Sequence, residues 1–431
     1  MTNSSTPRRR APILFAIVLG LGLAFAAWRI VALNLADHYA DKRDAAFAER
    51  ALGWVPGHPR AAETLARSLF DADPAAAIRL LQTALPANPI RGMTYAMLGA
   101  AWGHRGDMQQ ASDAIEAAAH FAPAQVNVRL IAAGHALAQN DLDALLRHWS
   151  AALGRRGSLG ATIFPDLLRL VEHPANRPAF AALLDNRISW WPAFASFAAS
   201  KAETLAPVMA IYELSRASTK NTLTGRSLNP ILARLQREKL WLDARLAWMD
   251  SLSPEQLDGM GNVFNGNFEA PISDVGFDWL RGRAGHIVID TAPTAGAGGN
   301  MALYVLFRGP RVRFQHLQQI LSLPAGDFVL RGRARSDDLV TNRGLVWSVT
   351  CLGSPERQLA TTEPVAGRAP WRNFQAPFSV PATDCPAQRL RLQLDARVAL
   401  DLDAKGQAWF DDIEIVPALY DRDDATATRR H

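Results

Sequence analysis

The spacing of apolar and polar positions divides the chain into three regions. Residues 11–28 carry no charged side chain and follow Arg8, Arg9 and Arg10. Extended past Arg29 by residues 30–33, this run is long enough as a helix to cross a hydrocarbon layer of about 30 Å. From Asp37 to residue 257, apolar residues recur at helical spacing in alanine-, leucine- and arginine-rich sequence broken by Pro, Gly or Asp, which predicts many amphipathic helices. From Asp258 onward, short alternating apolar and polar runs are divided by Gly, Pro and Asp, which predicts strands. The expected segments are a basic cytoplasmic tail (1–10), a transmembrane anchor (11–35), helical repeats (36–157), a degenerate helical-repeat extension (158–257), a β-sandwich (258–419) and a disordered tail (420–431).

Three arginines before the first segment, with no such density after it, orient the N-terminus to the cytoplasm and the body to the periplasm of a bacterial inner membrane. A cleaved signal peptide is the competing reading, since Ala24-Phe25-Ala26 has the small residues that signal peptidase accepts. The anchor is preferred because the apolar run exceeds the roughly 7–15 residues of a signal core. No cysteine lies nearby to carry a lipid.

The phase of the helical region is informative. Pro89 and Pro123 stand 34 residues apart, as do Ala77 and Ala111, and Ala84, Ala118 and Ala152 keep that step, as do Leu81, Ile115 and Trp149. A 34-residue period made of two helices predicts a solenoid in which alanines let helices approach and larger residues fill the gaps. Tyr95, Leu98, Gly99, Trp102, Ala111, Ile115, Ala118 and Pro123 resemble the tetratricopeptide repeat, with a turn at His104-Arg105-Gly106-Asp107. That resemblance implies docking of a protein partner through the solenoid. Weaker copies flank it at 60–89 and 125–153, and a helix over 37–53 would complete a preceding unit. Beyond them, helices are expected at 161–172, 178–184, 192–206, 207–218, 229–238 and 241–251. Trp190-Trp191 reads chiefly as packing, and His104, His120, His135 and His148 have no metal-ligand spacing.

In the last region, strands are expected at 263–269, 286–291, 301–307, 314–323, 326–336, 345–351, 371–380, 389–395 and 407–416, enough for an antiparallel two-sheet sandwich of the jelly-roll type. Asn265-Gly266-Asn267-Phe268-Glu269, Phe277-Asp278-Trp279 and the closing Trp409-Phe410-Asp411-Asp412-Ile413-Glu414-Ile415 resemble the carbohydrate-binding, galactose-binding-like sandwiches. The resemblance implies that the first and last strands meet in one sheet with Phe268 and Phe410 inside. It also implies a structural calcium, for which Glu269 and Asp411 match the ligand positions, and glycan binding. Sugar binding needs an aromatic face and planar polar groups, and the candidates are Trp279, Phe314, His316, Gln318, Arg335, Trp347 and Trp371, with Arg391 beside them. Alternation in Arg313-Phe314-Gln315-His316 turns Phe314 and His316 to one face, and alternation in 331–335 turns three arginines to another. Such an arginine row binds acidic sugars, or else solvates its face or pairs with Asp337, Asp338 and Asp395.

Composition changes this picture little. With 431 residues and 49% hydrophobic positions the chain builds more than one core, and a net charge of +5 without interleaved basic and aromatic stretches gives no nucleic-acid partner. Cys351 and Cys385 are a disulfide candidate in an oxidising compartment, the alternative being two small buried residues. Catalytic signatures are missing. There is no Gly-x-Ser-x-Gly elbow, neither cysteine has a neighbouring histidine, and Thr294–Gly299 lacks the Lys-Ser/Thr of a phosphate cradle. Asp411 and Asp412 could flank a glycosidic bond, but alternation separates them. The expectation is a non-enzymatic, membrane-tethered adaptor, similar to accessory proteins of exopolysaccharide synthesis and export. A pure assembly scaffold and a glycan-active hydrolase or lyase are the alternatives.

Overall fold

The computed structural model describes residues 10–418 except 284, 310 and 354; the basic tail 1–10, apart from Arg10, and the tail 420–431 lie outside the described residues. It consists of a helical solenoid and an antiparallel β-sandwich, and the chain divides into two compact units between Trp190 and Trp191.

The first unit runs through α1 (Arg10–Ala40), α2 (Ala45–Trp54), α3 (Pro59–Leu69), α4 (Pro74–Ala84), α5 (Gly92–Arg105), α6 (Met108–Phe121), α7 (Val126–Ala138), α8 (Leu142–Arg155), α9 (Gly160–Glu172) and α10 (Arg177–Leu184). Helix α1 is long and apolar enough to cross a membrane. Its apolar side chains Phe15, Leu19, Phe25 and Trp28 are exposed, whereas Ala32, Ala36 and Ala40, one turn apart, are buried with α2 and α3 residues. No helix breaker separates the two halves, so the repeat region begins inside the helix that carries the apolar run. The helix expected over 37–53 is two: the chain breaks after Ala40, Arg43 takes a left-handed conformation, and the Asp44 carboxylate accepts from the Ala46 and Phe47 amides to start α2.

The 34-residue phase becomes helix pairing. Gly106 ends α5 at φ 91°, as the turn requires. A Cβ on Gly99 would stand 2.6 Å from Ile115 Cγ1 and 3.1 Å from the Ala111 carbonyl, so glycine is what lets α5 lie on α6. Further along, the His148 ring of α8 lies 3.2 Å from an Arg129 guanidinium nitrogen. Burial, Arg129 and Arg147 together push its pKa down to about 4. The unfolded chain takes up that proton near pH 6.5, so between about pH 6.5 and 4 the unfolded state binds more protons and stability falls as pH drops. A loss of about 1–2 kcal/mol is expected after solvent screening. Urea midpoints at pH 7 and pH 4.5 check it, because His148→Gln should lose less on acidification than the native chain.

The second unit starts with α11 (Trp191–Lys201), α12 (Ala206–Ala217), α13 (Asn229–Arg237), α14 (Trp241–Met249) and α15 (Pro254–Asp258). These helices pack on the sandwich: Trp248 meets the Phe264 and Phe277 rings at 5.0 and 5.6 Å, and the Asn229 amide donates to the Asp274 carbonyl while accepting from the Gly276 amide. The helical extension therefore divides between the two units. Trp190 and Trp191 are both buried, which makes them packing residues.

The sandwich comprises β1 (Leu280–Arg281), β2 (Ile287–Pro293), β3 (Met301–Phe307), β4 (Leu317–Leu321), β5 (Gly326–Thr341), β6 (Leu345–Cys351), β7 (Arg357–Thr361), β8 (Gly367–Val380), β9 (Gln388–Leu394) and β10 (Ala404–Pro417). One sheet has the order β1-β4-β9-β6-β7 and the other β2-β3-β10-β5-β8, all pairs antiparallel. Between the sheets, Trp279 meets Phe268 and Trp347 at 5.4 Å, and Trp347 meets Phe410 at 5.6 Å. Cys351 and Cys385 are bonded, tying the end of β6 to the stretch before β9.

Residues 263–269 are not a strand. Asn265 and Phe268 have φ of 49° and 53°, and a Cβ on Gly266 would lie 1.9 Å from the Ile413 carbonyl oxygen. The stretch is a turn pressed onto the last strand, held by the Ile413 amide donating to the Gly266 carbonyl. The two ends of the module do meet, with Phe268 and Phe410 fully buried.

Candidate functional site

The outward face of the β2-β3-β10-β5-β8 sheet gathers side chains suited to a ligand. Register places Asp290 beside Tyr304, Tyr304 beside Trp409, and Trp409 beside Arg335, one residue from each of four adjacent strands. On the fifth strand, Arg335 faces an irregularity in β8 between Ala369 and Arg372, where Trp371 stands. Tyr304 and Trp409 rings are 5.5 Å apart, the Arg335 guanidinium lies 4.7 Å over Trp409, and that of Arg333 lies 5.1 Å over Trp371. Tyr304, Trp371 and Trp409 are all partly exposed. Aromatic rings and guanidinium planes therefore pack against one another across the sheet, a surface that offers stacking faces and planar donors together.

Local sequence builds this face. Strict alternation along β10 sends Ala408 and Phe410 into the core and Gln407 and Trp409 outward, and β5 sends Ala334 inward between outward Arg333 and Arg335. A bulge then interrupts β10: Asp411 pairs with Arg333 and Glu414 with Arg331, leaving Asp412 and Ile413 between them, with Asp412 at φ 52°. Beside the bulge, a cleft of about 1050 Å³ is lined by Arg331, Arg333, Asn373, Gln375, Asp412 and Glu414 together with residues of the 259–267 turn.

The glycine-rich run between β2 and β3 caps the same face. Gly298 donates its amide to Asp411 at 2.6 Å, and the Asn300 and Met301 amides donate to Glu269 at 2.7 and 2.9 Å. Trp371 Nε1 donates to the Ala295 carbonyl and Arg333 to the Gly296 carbonyl, so the loop fixes both stacking partners. Cβ atoms at Gly298 and Gly299 would meet Asp412 and Glu269 at 2.5 and 2.2 Å, which is why this loop lacks side chains there. Burial pushes the Asp411 carboxyl up, while the Gly298 and Asp412 amides pull it back.

These amide bonds bear on the calcium expectation. Glu269 and Asp411 spend oxygens on backbone donors, and among the described residues no three His, Cys, Asp or Glu side chains form a group that could hold a metal. A calcium site takes six to eight oxygens, which these two carboxylates do not supply by themselves. Thermal unfolding with and without a chelator is expected to coincide; a midpoint several degrees lower in chelator would contradict this.

The other sequence candidates scatter. Trp279, Phe314 and Trp347 are at most 1% exposed and belong to the core, so they offer no face to a ligand. Phe314 and His316 precede β4, and their rings lie 5.8 Å apart on one side as alternation predicts, but that side turns Phe314 into the core. Gln318 and Arg391 belong to the other sheet, where Arg391 donates to Gln318 at 2.9 Å, and His316 stands just before β4 with its pKa held down by burial. Of these candidates, Arg335 and Trp371 alone reach the aromatic and arginine face. The arginine row does share one face, but its partners differ from those expected: Arg331 pairs with Glu414 and Arg333 with Asp412, while Asp337 and Asp338 pair with Arg368 and Asp395 with Arg343. Asp411 is fully buried and Asp412 faces outward in an ion pair, so the two carboxylates do not face each other across a cleft. Tyr304 and Trp409 were the residues without an assigned role in sequence; the adjacency of Trp409 and Phe410 in a strand is the signal that one of them must face out.

The class these features define is a helical solenoid joined to a two-sheet β-sandwich with an aromatic and arginine outer face. No protein-family model matches the chain, and no curated protein matches it. Among solved structures it is similar to a CBM4 structure, 17% identical with a TM-score of 0.29, over 36% of this chain and 99% of the other. It is also similar to the CBM22-1 xylan-binding domain from Paenibacillus barcinonensis, at 14% identity and a TM-score of 0.24, over 32% and 85% of the two chains. A third likeness is to MamA from Desulfovibrio magneticus RS-1, at 17% identity and a TM-score of 0.24, over 30% and 75%.

Proposed function

We propose that this chain is a non-enzymatic, membrane-tethered adaptor of a bacterial cell envelope, whose sandwich binds a glycan and whose solenoid docks a protein partner. In this reading α1 holds the body on the periplasmic side of the inner membrane, and the role is in assembly or export of an exopolysaccharide or other envelope polysaccharide. The observation that carries the glycan part is the row Tyr304, Trp409, Arg335, Trp371. Pyranose rings present C–H faces that stack on aromatic planes and hydroxyls that pair with planar donors, and this row offers both on an open sheet across which a chain can lie. Support for a binding rather than a catalytic role comes from the acids of that face, which are occupied with arginines and backbone amides.

The test is retention of the detergent-solubilised full chain on immobilised neutral and acidic polysaccharides. Retention on at least one is expected; passage through all of them would overturn the glycan reading.

A further inference from the structure

We propose that the glycan held on this face is anionic and carboxylate-bearing, a polyuronate-type chain, with Arg335 receiving the carboxylate; this rests on the glycan reading above. The argument is a balance of charge. The carboxylates of the face and its rim have their own cations: Asp290 with Arg281 at 3.2 Å, Asp412 with Arg333 at 3.3 Å, Glu414 with Arg331 at 2.7 Å, and Asp337 and Asp338 with Arg368 at 2.9 and 3.0 Å. Arg335 is left over. Among the described residues it makes no hydrogen bond and no ion pair, and its contact is the Trp409 ring below it.

The nearest acid on its own strand face, Asp337, is spent on Arg368 and on the Gln407 amide. Arg335 therefore keeps a full charge and its forked N–H donors, while stacking fixes the plane of the guanidinium. An arginine fork matches a carboxylate through two parallel hydrogen bonds, and such charge-assisted pairs are about twice as strong as neutral ones. The position also suits a polymer. Trp409 lies on the adjacent strand β10 and Trp371 on the opposite neighbour β8, so a sugar chain crossing the strands would meet an aromatic plane on either side of the cation. A neutral glycan would offer this guanidinium hydroxyl oxygens alone, which accept more weakly than a carboxylate does.

The experiment uses the full chain in uncharged detergent and four probes: polygalacturonate, the same polymer with its carboxyls reduced to alcohols, a neutral glucan and dextran sulfate. Dissociation constants are measured for the native chain, Arg335→Gln and Arg335→Lys, with unfolding midpoints confirming that each variant folds. The native chain is expected to bind polygalacturonate at least tenfold more tightly than its reduced form, and more tightly than dextran sulfate. Arg335→Gln is expected to bring the first ratio to within about twofold, and Arg335→Lys, which keeps the charge but not the fork, to leave only part of it. A ratio near one in the native chain overturns the proposal while binding of the reduced polymer or the glucan leaves the glycan reading standing. A ratio that survives Arg335→Gln assigns the preference to the net charge of +5 and also overturns it. Tighter binding of dextran sulfate assigns the anion to sulfate and rejects the carboxylate. Failure to bind any of the four overturns both readings.

Discussion

Replacing Trp409 by alanine is expected to weaken binding of the retained polysaccharide at least tenfold while leaving the sandwich folded. Trp409 is the hub of the outer face: it touches Tyr304 on one side and carries the Arg335 guanidinium on the other. Removing the indole takes away a stacking plane and frees Arg335 to sample other rotamers, so two contributions fall together. A tenfold loss corresponds to about 1.4 kcal/mol, a modest demand on a residue of this kind. Because the ring is only partly buried, its loss from the folded state should cost no more than about 1–2 kcal/mol of stability. Binding measured beside a denaturation curve separates the two effects, and a variant that unfolds in parallel with its loss of binding would argue against a surface role.

The neighbouring residue predicts the reverse. Phe410 points to the other side of β10, is fully buried, and meets Trp347 edge-on at 5.6 Å at the centre of the core. Phe410→Ala leaves a cavity among Trp347, Trp279 and Phe268 that rigid sheet backbones cannot close, and is expected to cost about 3–5 kcal/mol. Whatever fraction remains folded should keep the ligand preference of the native chain. Two substitutions at adjacent positions, one removing binding and one removing stability, would show that this strand divides the core from the ligand face. A loss below about 1 kcal/mol for Phe410→Ala would mean the core is not centred where we describe it.

Elements were far easier to read from sequence than directions. The apolar run before Arg29, the 34-residue phase and the left-handed turn at Gly106 are local signals, and the structure expresses each of them. Helix existence along 160–249 was likewise legible because amphipathic spacing and starting prolines are properties of the segment itself. Side-chain direction in the sandwich depends on where each strand begins and where it bulges, and neither is local. Phe314 and His316 do share a side but lie outside β4, whose buried Leu317 and Gln319 fall on the other parity, and the Asp411–Glu414 irregularity broke the alternation used to separate the last carboxylates. Burial is less local still. Trp347 differs from Trp371 and Trp409 only in which side of a sheet it leaves, Trp279 stands just before β1, and all four tryptophans look alike until both sheets are in place. The glycine-rich run read correctly as a loop. Its service to Asp411 and Glu269 became visible only through contacts more than 30 residues away in sequence.

The central claim is that a glycan lies across the β2-β3-β10-β5-β8 sheet, and amide hydrogen exchange tests it most directly. The full chain is exchanged with and without a polysaccharide that retains it. The account predicts slower exchange in residues 331–337, 369–375 and 405–414, together with the 294–300 loop that holds Trp371 and Arg333. Slowing confined to the β1-β4-β9-β6-β7 sheet, or to the helices of the first unit, would contradict it.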